Sequence, residues 1–300
     1  MLESNKTISI VIPNLHSPVI DKTLLALREQ SHGLEDVEVI VVGMDRYNLV
    51  QPDQTVCFIR TAQPLCAAAA RNLGIRQAQG QILVFLDADC VPSHDWLDKL
   101  MSFYDKKQVD IVAGGVAFPA NAYWTLADNI SNFYSYLSSA LPGERQFLLS
   151  LNLSMKKSVL EKVGGFDESF PGAAGEDSDL TIRIRLAGYH LRFEPSAFVY
   201  HCPMRNNFFQ FARRSFIFGQ TTIKVYRRYQ SELNLPIFRR HALLLLLLAP
   251  ILGALVTVKI FLENKKLLKY WYTIPAVFIN KLLWRVGGAY QIWTENKRRV

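Results

Sequence analysis

Short apolar runs and helical segments alternate between Thr7 and about Tyr104. The runs read ISIVIP, VEVIVV, VCFIR and ILVFLD, and they are rich in β-branched residues. This alternation predicts a mainly parallel sheet covered by helices on both faces. The continuous apolar character supports burial on both faces of the sheet, although runs this short also fit buried helices. We therefore expect an α/β fold.

The following region, from about Val109 to His201, adds the strand-like run IVAGGVAF and helical segments near 122–140 and 177–187. No linker rich in Pro, Gly or Ser separates it from the first region, so we expect the two halves to share one core. Half of the 300 residues are hydrophobic, which suffices for a sizeable core. We predict a catalytic domain over 1–235 and a membrane-associated helical region over 236–300.

Two aspartates end the strand-like run ILVFLDADC. In open α/β sheets, ligands bind outside the carboxyl ends of the strands, which is where Asp87 and Asp89 fall. Two adjacent carboxylates repel each other, and a divalent cation bridging to phosphate oxygens removes that repulsion. The alternative is that one aspartate caps the loop or the next helix. The pair predicts a metal-dependent site for a phosphorylated ligand.

A second acidic pair, Glu176 and Asp177, follows a glycine-containing loop in GAAGEDSDL. Acidic residues also favour the first turn of a helix for electrostatic reasons alone, so that interpretation stays open. The sequence contains neither G-x-x-x-x-G-K-[ST] nor G-x-G-x-x-G. Because these two glycine-rich phosphate loops are absent, we expect a metal to carry more of the phosphate binding.

The formal net charge is +8, and most of the excess lies late in the chain. Basic residues cluster between Met204 and Arg240, directly before the apolar run HALLLLLLAPILGALVTV. Basic residues beside an apolar run favour a membrane surface over nucleic acid. We expect a membrane partner and no nucleic-acid partner.

Two apolar segments follow this basic cluster. Ala242 to Leu262, interrupted only by Pro250, Gly253 and Lys259, approaches the ~20 residues that span a bilayer, and we interpret it as a membrane helix. Tyr270 to Trp293 carries Lys281 and Arg285 among its aromatic residues, which is more typical of an interfacial helix. The first residues do not resemble a secretory signal, and the four cysteines show no paired spacing. We predict a location on the cytoplasmic face of the cell membrane.

Four segments, taken together and in this order, resemble a known family. They are SIVIP, ARNLGIRQAQGQILVFLDADCVPSHDWL, NLSMKKSVLEKVGGFDE and GEDSDLTIRIRLAGYHLRFEPSAFVYH. They are similar to the successive motifs of family 2 glycosyltransferases with the GT-A fold, over about residues 7–230. The resemblance implies sugar transfer from a nucleotide-diphosphate sugar, usually with inversion, and a divalent cation, Mn²⁺ or Mg²⁺. The acceptor would be a lipid-linked or cell-envelope saccharide.

The resemblance also implies roles for individual residues. Asp89 would be the main metal ligand, Asp87 would contact the ribose or the metal through water, and His201 would supply a further ligand, unless it is structural. Asp177 would act as the general base, and Glu176 would position the acceptor. Arg71 would lie near the nucleotide, Asn152 would line the donor and acceptor pocket, and the edge that begins at Pro13 would receive the base.

Two positions depart from the family pattern. The usual acidic pair after the second strand reads Val42-Gly43-Met44-Asp45, which leaves Asp45 alone to contact the base, so a UDP-sugar is only the default donor. Arg214 replaces the tryptophan of the Gln-x-x-Arg-Trp motif of processive synthases, which favours a non-processive enzyme. The neighbouring Arg213 is a candidate to neutralise the leaving diphosphate; a solvated helix face or a lipid contact is the alternative.

Two other functions are compatible with parts of this pattern. A nucleotidyltransferase of related sheet architecture would place a glycine-rich phosphate loop after the first strand, whereas IPNLHSP has none. A catalytically silent membrane adaptor would have no need for both acidic pairs. We therefore predict a membrane-associated glycosyltransferase.

Overall fold

The computed structural model describes residues 7–107, 109–119, 122–170, 174–233 and 236–297. These residues form two compact units. The first contains the described residues up to Pro119 together with Tyr136–Cys202, and the second contains those of Ala120–Ser135 and Pro203–Val300. The functional division into a catalytic domain over 1–235 and a membrane-associated region over 236–300 stays a prediction.

The first unit is built on one sheet, which has nine strands in the described part of the chain. The strands are β1 Ile8–Leu15, β2 Val37–Met44, β3 Val56–Arg60, β4 Ile82–Leu86, β5 Cys90–Pro92, β6 Ile111–Ala117, β7 Gly143–Glu144, β8 Asn152–Lys156 and β9 Arg192–His201. Their order across the sheet is β3-β2-β1-β4-β8-β6-β9-β5, and β7 pairs with β9.

Strand direction differs between the two halves of this sheet. The N-terminal strands β3, β2, β1 and β4 are parallel to one another. Strand β8 runs antiparallel to both β4 and β6, whereas β6 and β9 are parallel. The structure thus confirms an α/β fold with a mixed sheet, and it confines uninterrupted parallel pairing to the N-terminal half.

The helices are α1 Ile20–Arg28, α2 Ala67–Gln77, α3 Trp96–Lys107, α4 Tyr123–Phe133, α5 Lys157–Val163, α6 Glu176–Leu186, α7 Phe208–Arg228, α8 Ala242–Leu247, α9 Ala249–Glu263 and α10 Ile274–Lys297. Short 3-10 segments occupy Tyr134–Tyr136, Ile237–Arg239 and Lys265–Thr273. Helices α4 and α7 to α10 belong to the second unit, and the others belong to the first.

Helix α2 lies close against strand β1 because a glycine faces the strand. A Cβ atom added at Gly74 would lie 2.4 Å from the Cγ1 atom of Val11, so no larger residue fits without a shift of the helix. Val11 and its neighbours in β1 are fully buried. The close approach fixes the position of Arg71, which lies one turn before Gly74 on the same helix.

The predicted single membrane helix over Ala242 to Leu262 is wrong. The segment divides at Leu248 into α8, with 6 residues, and α9, with 15. Pro250 lies in the first turn of α9, where its missing N–H costs nothing, whereas inside a longer helix it would remove a hydrogen bond. In the part of the chain that the structure describes, no helix is both long enough and apolar enough to cross a membrane.

Candidate active site

The first acidic pair lies where the central strand β4 ends. Strand β4 stops at Leu86, a turn carries Asp87 to Asp89, and the short strand β5 begins at Cys90. Strand β5 runs antiparallel to the end of β9, and this pairing places Cys90 directly opposite His201. The backbone N–H of Cys202 also donates to the carbonyl of Asp89 at 2.8 Å. Two segments far apart in sequence therefore meet at the predicted metal position.

Three potential metal ligands lie together at this position. An Asp89 carboxylate oxygen lies 3.7 Å from Nε2 of His201. These two groups and the Cys90 thiol offer ligand atoms that all lie within 4.8 Å of one another. Sequence reasoning missed Cys90, although its place directly after the Asp-x-Asp motif was the available signal. Asp87 is not part of this group among the described residues.

The donor set fits a divalent cation held by Asp89 and His201. A carboxylate and an imidazole suit Mn²⁺ better than Mg²⁺. Burial, together with the nearby Asp89 and Asp87 carboxylates, raises the pKa of the Cys90 thiol well above its usual range. Without a bound cation the thiol is protonated, and it lies beside the carboxylate and the imidazole as a third possible ligand.

Arg71 connects the two acidic pairs. Its side chain is 2% exposed, and it donates to the Asp87 carboxylate at 2.7 Å and to the Glu176 carboxylate at 2.9 Å. Its guanidinium lies 5.3 Å from the centre of the Phe166 ring. The resemblance predicts Arg71 near the nucleotide; the structure shows that its direct partners are the carboxylates. Arg71 therefore holds residues from β4 and α6 in a fixed arrangement.

The second acidic pair occupies the first turn of α6. Gly175 precedes the helix with a φ of 92°, a left-handed conformation that favours glycine. Glu176 is buried, and its Oε2 atom is buried with no hydrogen-bond partner among the described residues. Asp177 is partly exposed and accepts from the backbone N–H groups of Ser178 at 2.7 Å and Ser150 at 3.4 Å. Asp177 is thus the member of the pair that can meet a ligand.

Burial dominates the electrostatics of this pair. The pKa of Glu176 is raised to about 7, chiefly by burial and next by the charge of Asp177, with Arg71 opposing the rise. Burial also raises the pKa of Asp177, although Arg71 and two backbone N–H donors oppose the rise. Burial lowers the pKa of Arg71, but Asp87, Glu176 and Asp177 outweigh it and raise that pKa above its usual value. The group therefore contains more carboxylates than cations, and the raised pKa values make Glu176 and Asp177 stronger bases.

The structure places the Asn152 side chain in the interior of the first unit. Its amide donates to the carbonyls of Gly115 and Ala197, both at 2.9 Å, and its oxygen accepts from the Trp96 indole at 2.9 Å. These contacts join β8, β6, β9 and α3, which is a structural role. Lining of the donor pocket by Asn152 stays a prediction.

The remaining predicted residues lie in three places. Pro13 is partly exposed near the carboxyl end of β1. Asp45 follows β2 and accepts from the backbone N–H groups of Tyr47 and Val50, so it orders the turn after that strand. Arg213 is exposed on α7, in the second unit. Their contacts with a donor stay predictions.

Comparison with known proteins agrees with this geometry. Residues 9–164 match the model of the family described as glycosyl transferase family 2. The chain is 30% identical over 229 residues to the glycosyltransferase AglE of Haloferax volcanii, covering 73% of this chain and 74% of AglE. It is also 30% identical over 215 residues to the pre-mycofactocin glycosyltransferase of Mycobacterium tuberculosis, where the match covers 66% of this chain and 43% of the relative.

Solved structures share the fold. The mannosyltransferase PcManGT of Pyrobaculum calidifontis superposes with a TM-score of 0.61 at 18% identity, covering 96% of this chain and 87% of that protein. GalNAc-T7 superposes with a TM-score of 0.53 at 13% identity, covering 73% of this chain and 50% of that chain. The family match, the sheet and the two acidic pairs agree with the resemblance in the motifs: the chain belongs to glycosyl transferase family 2, has the GT-A fold and is a glycosyltransferase.

Proposed function

We propose that this enzyme moves a glycosyl group, with inversion, from a nucleotide-diphosphate sugar to a hydroxyl group of a lipid-linked or cell-envelope saccharide, in a reaction that depends on a divalent cation. One network of contacts carries the proposal. The buried Arg71 binds both Asp87, beside the Asp89 and His201 pair, and Glu176, beside Asp177. A donor-side group and a base-side group are thereby held in one rigid arrangement.

Asp177 is the proposed general base. It is partly exposed, whereas Glu176 is buried against Arg71, so an acceptor hydroxyl can reach Asp177. A carboxylate with a raised pKa is a stronger base, and catalysis benefits when that pKa approaches the working pH. In the proposed step, Asp177 takes the hydroxyl proton as the acceptor oxygen attacks the anomeric carbon and the bond to the diphosphate oxygen breaks. No covalent intermediate is needed.

Asp89 and His201 would hold the cation, which when bound neutralises the charge that develops on the departing diphosphate. Two structural neighbours support the donor class. The PcManGT structure is described as a complex with GDP-Man and Mn²⁺, and the GalNAc-T7 structure as one with UDP, GalNAc and Mn²⁺. Because their nucleotides differ, the nucleobase of this donor is a matter for experiment, with uridine as the starting choice.

We further propose a location on the cytoplasmic face of the membrane, and exposed side chains of the second unit support attachment at a membrane surface. Exposed apolar residues follow one another along α8 and α9 at four-residue steps: Leu243, Leu247, Ile251 and Leu255. Trp271 is 67% exposed in the segment that follows. Exposed lysines, Lys265, Lys266 and Lys269, precede it. Apolar and aromatic side chains beside basic ones fit an anionic lipid interface.

A donor screen tests the reaction. Hydrolysis and transfer are measured across UDP- and GDP-sugars with Mn²⁺, with Mg²⁺ and with EDTA, for the wild type and for Asp177→Asn, Asp89→Asn and Glu161→Gln. Loss of a general base lowers kcat about 10²- to 10⁴-fold. We expect that loss in Asp177→Asn with donor binding retained, and loss of metal-dependent donor binding in Asp89→Asn. Glu161 is exposed on α5 and serves as the matched control.

Two results would contradict the mechanism. Transfer that persists in EDTA and in Asp89→Asn would show that the reaction needs no cation. Transfer at the wild-type rate in Asp177→Asn would show that Asp177 is not the general base.

Membrane attachment has a separate test, which needs no substrate. Vesicles of phosphatidylcholine with phosphatidylglycerol are sedimented with the full chain. We expect Leu247→Glu and Ile251→Glu to reduce co-sedimentation, because each places a charge on the exposed apolar stripe. Leu141→Glu, at an exposed leucine of the first unit, is the control. Equal sedimentation of all variants would contradict attachment through α8 and α9.

A further inference from the structure

The second unit contains one buried and two partly buried cations that its carboxylates do not balance. Arg285 on α10 is 7% exposed, and its guanidinium donates to the Lys281 carbonyl at 2.6 Å. Among the described residues, no carboxylate forms an ion pair with Arg285 or with Arg239 of the segment Ile237–Arg239. A buried charge that lacks a counter-charge is costly, which makes this group unusual.

Contacts place these cations near one another: Lys281 and Arg285 lie one turn apart on α10, and Arg239 lies over the ring of Tyr226, which packs against the same apolar cluster as α10. Burial and, second to it, the charge of Arg239 together lower the pKa of Arg285 to about 10. Burial also lowers the pKa of Lys281 to about 7, with Arg285 as the next cause and Asp128 as a weaker, opposing one. The cations therefore repel one another, and Arg285 is the most buried of them.

The nearby acid is already engaged. Asp128 on α4 is fully buried, and its carboxylate lies 2.7 Å from Arg205 and 3.4 Å from Arg214. It also accepts from the Asn132 amide at 2.8 Å. One carboxylate that already faces two arginines cannot balance the three further charges of Lys281, Arg285 and Arg239. The excess of positive charge is therefore a property of the whole group.

A hydrogen-bonding group without a partner among the described residues lies beside these cations. The ammonium group of Lys281 donates to the backbone carbonyl of Ser131 at 2.7 Å. The hydroxyl of that same serine is buried and has no hydrogen-bond partner among the described residues. Lys281 and Arg239 are partly exposed, so the group is open to solvent on one side. A buried donor beside excess positive charge provides what an oxyanion needs.

We propose that Arg239, Lys281 and Arg285 form a binding site for a phosphate or diphosphate group. Guanidinium groups match the planar, bidentate geometry of phosphate oxygens, and lysine adds a point charge. The phosphate can belong to the headgroup of an anionic lipid or to a soluble diphosphate. The site lies wholly within the second unit, and the proposal does not rest on the transfer reaction proposed above.

The first experiment uses inorganic pyrophosphate with the full chain, in EDTA and on an Asp89→Asn background, so that the predicted metal site does not contribute. Thermal unfolding and calorimetric titration are followed. A ligand that binds the folded state raises the unfolding temperature. A hydrogen bond to a charged group is worth about 1.5–3 kcal/mol, so each of Arg285→Gln and Arg239→Gln should weaken binding about tenfold or more. Arg240→Gln, at the exposed neighbour, should bind pyrophosphate like the parent.

The stability of the variants without ligand separates an anion site from a structural arginine. If Arg285 is an uncompensated charge, Arg285→Gln unfolds at the same or a higher temperature than the parent at low ionic strength. If it is a structural contact, the variant unfolds at a lower temperature and the pyrophosphate response persists. The second result overturns the proposal.

Vesicles distinguish the two sources of phosphate. Weaker binding of Arg285→Gln than of Arg240→Gln to phosphatidylglycerol vesicles identifies the lipid headgroup, whereas a pyrophosphate response with equal vesicle binding identifies a soluble diphosphate. Either result supports the site. Equal responses of all variants to both probes would overturn it.

Discussion

The two units carry opposite charge imbalances in their interiors. In the first unit, one arginine, Arg71, faces Asp87, Glu176 and Asp177. In the second, one carboxylate, Asp128, faces Arg205 and Arg214, with Lys281 in reach of its charge. An excess of negative charge raises the pKa of the carboxyl groups, which makes their carboxylates stronger bases, and it favours binding of a cation. An excess of positive charge favours binding of an anion. Similar buried polar clusters thus favour ligands of opposite charge.

The imbalances also differ in how they can relax. Carboxylic acids take up protons near neutral pH when they are buried, but arginine does not lose its proton in proteins. The first unit can therefore adjust its charge by protonation. In the second, a lost counter-charge must be replaced by solvent or by a bound anion.

The largest effect is expected from Asp128→Asn. Breaking a buried ion pair costs about 3–5 kcal/mol, and we expect the lower end because Arg205 and Arg214 retain side-chain exposures of 17% and 23%. The free energy of unfolding in urea measures the loss. Asp53→Asn removes the exposed ion pair with Arg28 and should cost less than about 1 kcal/mol. Equal losses for the two variants would mean that Asp128 is not a buried counter-charge.

Glu176→Gln should change how stability depends on pH. The pKa of Glu176 rises from 4.5 to about 7 on folding. Between these values the folded chain binds more protons at Glu176 than the unfolded chain does, so this group's contribution to stability falls as pH rises. The free energy of unfolding of the wild type minus that of Glu176→Gln should therefore fall by up to about 3 kcal/mol between pH 4.5 and 7. A difference that rises with pH would mean that Arg71, and not burial, controls Glu176.

Arg71→Met should cost less than Asp128→Asn because the acids it leaves behind can protonate. We expect a loss of about 2 kcal/mol at pH 6, below the usual range for a broken buried pair, and a larger loss at pH 8. Urea unfolding at both pH values is the measurement. Adding Glu176→Gln should recover part of the loss at pH 8. A loss independent of pH would show that Arg71 acts through packing, including its contact with Phe166, and not through charge.

The sequence allowed the fold and the acidic positions of the site to be predicted, because both depend on local pattern. Alternating apolar runs indicated the parallel strands, and Asp87 and Asp89 lie where ILVFL ends. The link between Arg71 and Glu176 spans 105 positions and depends on β8 inserting between β4 and β6, which no local pattern records. The prediction of one membrane helix was wrong because the length of an apolar run does not determine whether the helix is continuous, and here a new helix begins just before Pro250. Long-range strand pairing and breaks in helices therefore limit what can be predicted from the sequence.

The smallest effect is expected from Cys90→Ser, which tests whether carboxylates alone make the negative excess of the first unit. Mn²⁺ prefers oxygen ligands to thiolate, so the variant should keep the wild-type dependence on Mn²⁺. A buried hydroxyl in place of the thiol should cost about 1–3 kcal/mol at most in stability. His201→Gln, by contrast, should weaken Mn²⁺ activation, because Nε2 lies 3.7 Å from Asp89. Co²⁺ titration of the wild type is the direct measurement: a thiolate-to-cobalt absorption band that Cys90→Ser abolishes would make Cys90 a ligand and shift the site toward softer metals.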